Sequence, residues 1–204
     1  MRNKSTNEDK VLIGITGGIG SGKSLAADFL VSLGIKVINA DLLTKELYKT
    51  NKSLKLKLVR IFGRNILNEK GDIGGHEARN IIFSSAKNIK RVNSIVHPFV
   101  IKEIHRILKK VSDYMVMVES AIMYESGFYK HLNFGVLIYA NKSIRLKRVT
   151  ARDKIKAADV QKLMKLQIDE NEKLKRAEFI IKNNGTKQEL KQKIKLLAKI
   201  LKYF

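Results

Sequence analysis

Cysteine and tryptophan are absent from this chain of 204 residues, and proline occurs once, at Pro98. Without cysteine there is neither a disulfide framework nor a thiolate metal site, a composition that fits a reducing cytoplasm. Aromatic residues make up only 7% of the chain, and none studs a strand in the manner of a single-strand nucleic-acid platform. No apolar stretch approaches membrane-spanning length, and Met1 to Lys10 lacks the apolar core of a signal peptide. That stretch reads as a disordered polar lead-in.

Acidic residues are also scarce, 19 Asp and Glu against 41 Lys and Arg, for a formal net charge of +22. Such an excess ordinarily points to nucleic acid or a membrane surface. Here the lysines are dispersed at helix-surface spacings with no RNA- or DNA-binding signature. The expectation is therefore no specific nucleic-acid partner and no membrane, with non-specific polyanion binding at low salt. An apolar content of 44% is enough for a real core. It predicts one compact cytoplasmic domain, a monomer or weak homo-oligomer.

What the chain does have is Val11 to Leu25, VLIGITGGIGSGKSL. A short apolar run leads into a glycine-rich turn with Gly17, four residues, then Gly22-Lys23-Ser24, the spacing of a nucleotide-binding P-loop. Val11 to Thr16 predicts a buried parallel strand, and Lys23 to Leu33 a helix that Gly34 stops. The helix N-terminus then faces the loop and adds its partial positive charge to the free N–H groups. The candidate ATP contacts are Gly17, Gly18, Gly20, Ser21, Gly22, Lys23, Ser24 and Leu25. Lys23 bridges the β- and γ-phosphates, Ser24 ligates Mg²⁺, and the Leu25 N–H reaches the α-phosphate.

Ile35 to Ile38 is a second short strand, which places Asp41 at its carboxyl end, on the edge where open α/β sheets hold ligands. Asp41 is read first as a catalytic base and Mg²⁺ ligand, with a helix N-cap before Leu42 as the other reading, and both roles can hold at once. From Leu42 to Ser112 the pattern is mostly helical, a long excursion expected to carry an acceptor site. Arg79 and Phe83 fall one helical turn apart there. Pro98 is read as the first residue of a helix running from Phe99 to Lys110, with His97 at its entrance, either as a cap or as a phosphate ligand. Tyr114 to Val118 predicts a third strand and Phe134 to Ala140 a fourth, with Glu125 in the loop between them as a further acceptor candidate. Arg145, Arg148 and Arg152 share one helical face of a predicted lid, Arg148 and Arg152 being the better candidates for the transferring phosphoryl group. Ala157 to Ile168 continues the helix. Phe179 to Ile181 is a fifth strand, the turn Asn183-Asn184-Gly185 at its carboxyl edge is either an adenine contact or a simple strand-to-helix turn, and Lys187 to Leu201 is a closing amphipathic helix.

These segments together resemble the dephospho-coenzyme A kinase family: GITGGIGSGKS, VINAD, Phe62-Gly63, His97-Pro98, Tyr124 to Ser126, the RxxxRD of Arg148 to Asp153, and Asn183 to Gly185. The resemblance implies transfer of the ATP γ-phosphate to the ribose 3′-hydroxyl of dephospho-coenzyme A. It implies a three-layer α/β P-loop kinase fold around a central five-stranded parallel sheet. The nucleotide core spans about 11–41 and 114–204, a helical acceptor insertion about 42–113, and a lid about 143–170. It also implies Asp41 as catalytic carboxylate, Gly20 to Leu25 as phosphate contacts, and Arg148 as lid arginine. Departures from the family pattern are Asn39 for Asp, Leu25 for Thr, Glu119-Ser120-Ala121 for Asp-x-Pro, and Lys182 for Asp. Two other readings stay open: a P-loop kinase of nucleosides or nucleoside monophosphates, and a nucleotide-dependent binding protein.

Overall fold

In the computed structural model the described residues are 10–203, without the side chain of Phe83. The lead-in expected over residues 1–10 therefore lies, apart from Lys10, outside the described residues. The chain divides into two compact units, one holding the chain up to Asn39 and from Ser112 onward, the other Ala40–Val111. No helix among the described residues is long and apolar enough to cross a membrane.

The first unit is an α/β layer structure. Its strands are β1 (Val11–Thr16), β2 (Lys36–Asn39), β3 (Met115–Glu119), β4 (Phe134–Tyr139) and β5 (Phe179–Lys182). They form one sheet in the order β2-β3-β1-β4-β5, every pair parallel. This is the expected five-stranded fold, with strand limits moved by a residue at β2, β3, β4 and β5. The central strands are buried on both faces, as crossover helices require, and so read as near-continuous Val, Ile, Leu and Met. Helix α1 (Lys23–Ser32) ends at Leu33 and Gly34. Gly34 takes φ +80, and the N–H groups of Gly34 and Ile35 return to the carbonyls of Val31 and Leu30, a glycine-dependent stop.

The second unit is helical, with α2 (Ala40–Thr50), α3 (Lys52–Phe62), α4 (Gly75–Phe83) and α5 (Ala86–Leu108). Here one expectation fails. Pro98 does not open a helix, because it lies inside α5, whose N-cap is Ser85 accepting from the Asn88 N–H. His97 is consequently a half-buried residue of the helix interior and not an entrance cap. An internal proline removes one backbone hydrogen bond and costs about 3 kcal/mol. The offsetting term is a stripe of Val92, Val96, Val100, Ile104 and Leu108, all buried, whose four-residue spacing runs straight past the exposed Pro98. Ser85, with its cap three residues before Asn88, is the true start signal.

Back in the first unit, α6 (Lys142–Asp153), α7 (Ala157–Lys165) and α8 (Glu170–Arg176) precede β5, and α9 (Lys187–Leu201) closes the chain. The helix expected from Ala157 to Ile168 thus stops at Lys165. Helix α9 begins with a full capping box between Thr186 and Glu189. Its apolar face, Leu190, Ile194, Leu197 and Leu201, packs with Leu30 of α1 on Ile13, Ile15, Met117, Val136 and Ile138 of the sheet. Ile194 has no exposed surface, whereas Leu196 on the same helix is 60% exposed. Ile194→Ala is expected to lower unfolding free energy by about 2–5 kcal/mol. Leu196→Ala should stay within about 0.5 kcal/mol of the parent. Urea titration of both variants checks the pair, and equal losses would mean that the sheet face is not the principal core.

Candidate active site

The register of three adjacent strands assembles the site. Asn39 of β2 pairs with Glu119 of β3, and Glu119 pairs with Ile15 of β1. All three strands end on one carboxyl edge, from which the loop Gly17 to Gly22 departs. Gly20 and Gly22 have φ +79 and +91, backbone that only glycine adopts at no steric cost and that lets the loop turn its N–H groups toward one point. Gly18 is needed for a different reason, since a Cβ there would collide with the Arg145 guanidinium and the Glu170 carboxylate.

Glu119 is the centre of this edge and is only 3% exposed. Its Oε1 lies 2.7 Å from Lys23 Nζ and accepts from Ser24 Oγ at 2.8 Å. Its Oε2 accepts from Asn39 Nδ2 at 2.6 Å. By sequence alone Glu119 is the end of a strand and a departure from an Asp. The signal was nonetheless present, because a carboxylate closing the strand beside the P-loop strand is where P-loop NTPases hold their metal. A serine hydroxyl and a buried carboxylate in contact form a hard-oxygen pair that fits Mg²⁺, which takes one or two carboxylates and completes its shell with phosphate and water. Asn39, where the family pattern has Asp, serves here as a neutral donor to Glu119.

Asp41 follows β2 as the second residue of α2, so Ala40 and not Asp41 opens the helix, and the N-cap reading does not apply. It is half-buried and the acidic residue of the helix's first turn, where the helix dipole favours a carboxylate.

The loop is held from outside by the segments that follow β4 and β5. Gln167, between α7 and α8, accepts the Ile19 N–H at 2.9 Å and donates to the Ala121 carbonyl at 3.4 Å. The Ile19 side chain packs on Val149, Val160 and Met164 of α6 and α7. On the other flank Asn183 Nδ2 donates to the Ser21 carbonyl at 2.7 Å, a buried bond. The turn carrying Asn183 and Gly185 is itself fixed by Arg148, whose Nη1 and Nη2 donate to the carbonyls of Asn183 at 3.0 Å and Gly185 at 3.2 Å. Gln167 carried no sequence signal, because a single polar residue between two helices is indistinguishable from a surface linker.

The three arginines of α6 thus separate. Arg148 engages the β5 turn. Arg152 is exposed and bonded to the neighbouring Asp153, which raises the guanidinium's affinity for its proton and holds the Asp153 carboxyl below the usual carboxylate range. Arg145 lies against the P-loop, its side chain 5% exposed and its Nη1 2.6 Å from Glu170 Oε1.

The acceptor candidates are scattered. Arg79 is exposed on α4, and His97 is inside α5. The Phe83 side chain lies outside the described residues. Glu125 belongs to the other unit, where its Oε1 accepts the Ile168 N–H at 3.1 Å and lies 3.5 Å from Lys173 Nζ.

Comparison with known proteins agrees with this geometry. A protein of Leptospira interrogans serovar copenhageni, named dephospho-CoA kinase, is 34% identical over 202 residues, 98% of each chain. Among solved structures, TT1252 from Thermus thermophilus superposes with a TM-score of 0.81 at 29% identity, covering 94% of this chain and 98% of its own. Dephospho-CoA kinase from Campylobacter jejuni superposes with a TM-score of 0.64 at 30% identity, covering 93% and 96%. The family model for dephospho-CoA kinase matches residues 11–189, a span that includes the P-loop, Asp41, Glu119 and the Asn183 turn. The chain belongs to the dephospho-CoA kinase family.

Proposed function

We propose that the chain transfers the γ-phosphate of ATP to the ribose 3′-hydroxyl of dephospho-coenzyme A, giving coenzyme A and ADP. The observation that carries the reading is the buried Glu119, joined to both Lys23 and Ser24 at the mouth of the P-loop. A P-loop with a strand-end carboxylate on its lysine and serine is the equipment of phosphoryl transfer.

The N–H groups of Gly20 to Leu25 orient the triphosphate, and Lys23 spans its β- and γ-phosphates. Asp41 accepts the proton of the attacking hydroxyl, so that the oxygen reaches phosphorus as a stronger nucleophile. Ser24, Glu119 and Asp41 are the residues that would hold Mg²⁺, which when bound neutralises charge on the β- and γ-oxygens. Arg148 keeps the Asn183-to-Gly185 turn in shape beside the loop, and the turn borders the adenine. Arg152 adds positive charge to the same helix. Arg79 and His97 of the helical unit, with Glu125, are the candidates for acceptor contacts, Arg79 and His97 as its phosphate ligands. Catalysis by such a site is mostly positioning and electrostatics, since little covalent chemistry falls to the protein.

Three outcomes are expected. Incubation with ATP and Mg²⁺ should add one phosphate, by product mass, to dephospho-coenzyme A and none to adenosine or a nucleoside monophosphate; phosphorylation of the monophosphate instead would overturn the assigned acceptor. Asp41→Asn should lower kcat by about 10²- to 10⁴-fold, the usual range for a lost general base, while ATP still binds. Near-normal turnover in that variant would remove Asp41 from the role. Glu119→Gln should raise the Mg²⁺ concentration for half-maximal rate by about 10- to 100-fold, and an unchanged Mg²⁺ titration would assign Glu119 to loop structure alone.

A further inference from the structure

A second set of buried charges lies beside Gly18 of the P-loop. Arg145 Nη1 is 2.6 Å from Glu170 Oε1, and Lys173 Nζ is 3.5 Å from both Glu170 Oε1 and Glu125 Oε1. The Arg145 side chain is 5% exposed and that of Lys173 fully buried. Two cations balance two carboxylates, yet directed hydrogen bonding is incomplete. Arg145 Nε and Nη1 and Lys173 Nζ are buried donors without an aligned acceptor, an arrangement that folded proteins seldom tolerate without a reason.

Position supplies the reason for Arg145. Its guanidinium lies against Gly18, so closely that a Cβ on that glycine would overlap Nη1. The next residue, Ile19, has its N–H occupied by Gln167. Along the loop, the Leu25 N–H serves the α-phosphate and Lys23 the β- and γ-phosphates, so residues earlier than Lys23 stand toward the terminal phosphate. A planar guanidinium whose Nε and Nη1 lack an aligned acceptor matches phosphate oxygens in a forked geometry that no ammonium reproduces. Arg148 and Arg152, the other arginines of α6, already have partners in the Asn183 turn and in Asp153.

We propose that Arg145 is the arginine that contacts the terminal phosphate of ATP, with Glu170 as the carboxylate that aims it and Lys173 as the cation that holds Glu170 and Glu125 in place. The inference rests on ATP binding at the P-loop and is independent of the acceptor's identity.

The test compares binding of ADP and of a non-hydrolysable ATP analogue, with Mg²⁺ present, by calorimetry on the full chain. Arg145→Ala should weaken the analogue about 10- to 100-fold, the loss of a charged hydrogen bond to phosphate, and weaken ADP by less than about threefold. Glu170→Gln removes the ion pair that aims the guanidinium but leaves the guanidinium itself, so it should lower the preference for the analogue over ADP, and by less than Arg145→Ala does. A purely structural clasp would make the two variants alike and lower both nucleotides together, and that result would overturn the proposal. If Arg145→Ala fails to fold, Arg145→Gln, which keeps a hydrogen bond to Glu170, carries the same comparison with the same outcomes. Because no acceptor is present, failure of dephospho-coenzyme A as substrate would leave this result standing, and the reverse also holds.

Discussion

The structure depends on a carboxylate placed where it cannot be solvated. Glu119 ends a strand that is otherwise Met, Val, Met and Val, and it meets Lys23, Ser24 and Asn39 in near-complete burial. Those donors come from α1 and β2, on opposite sides of β3, so the arrangement exists only because β3 lies between β1 and β2. A one-residue slip of β3 would turn Glu119 to the other face of the sheet and leave Lys23 without its counter-charge. Removing one partner of a buried ion pair is strongly destabilising. The strand order and register are thus tied to the chemistry of the edge, and the aliphatic run before Glu119 is what holds that register.

A phosphate cradle works only if its N–H groups are aimed before the anion arrives, since reorienting dipoles during the reaction forfeits their advantage. Here the loop is fixed by contacts on both flanks. Asn183 takes the Ser21 carbonyl, Gln167 takes the Ile19 N–H, and the Ile19 side chain is packed into the apolar contact of α6 with α7. Neither polar contact involves the N–H groups of Gly20 to Leu25, and within the loop the Ser21 N–H donates to the Gly18 carbonyl at 2.9 Å. The segment that carries Arg145 and Arg148 therefore also sets the loop's shape, and a change in α6 or α7 reaches the loop through Ile19 as well as through charge.

The sequence made some parts of this legible and hid others for definable reasons. Val11–Thr16 and Lys187–Leu201 match their expected limits, because a short aliphatic run before a glycine loop and a capping residue followed by a 3.6-residue period are local signals. At Pro98 a local preference for a helix start competes with a longer-range signal and loses: Val96 and Val100 keep the helical period across it, and burial of that stripe overrides the lost hydrogen bond. Glu119 was visible as a strand-end acid, but its partners are set by pairing between distant strands. Arg145, Arg148 and Arg152 share a helix face by spacing alone, and the sequence could not divide them. What divides them is tertiary: the β5 turn presents carbonyls to Arg148, Asp153 captures Arg152, and Glu170 of α8 meets Arg145.

The net charge of +22 takes on a different meaning once the buried groups are separated from the exposed ones. Lys23 faces Glu119, Arg145 faces Glu170, and Lys173 faces both Glu170 and Glu125. Inside the nucleotide unit, therefore, scarce acidic residues are placed against the cations nearest the loop, and these contacts are close to neutral as a set. The excess lies outside, on residues such as Lys187, Lys191, Lys193 and Lys195, all exposed on α9. Exposed charges act at a distance and are screened within about 8 Å at physiological ionic strength. They raise the local concentration of any polyanion without selecting one. Under the proposed function, selection falls to the buried pairs, whose carboxylates share or yield their cations to phosphate oxygens in a defined geometry. On that reading a substrate carrying several phosphates is drawn by the first effect, but only one that presents them to Lys23 and the loop N–H groups uses the second.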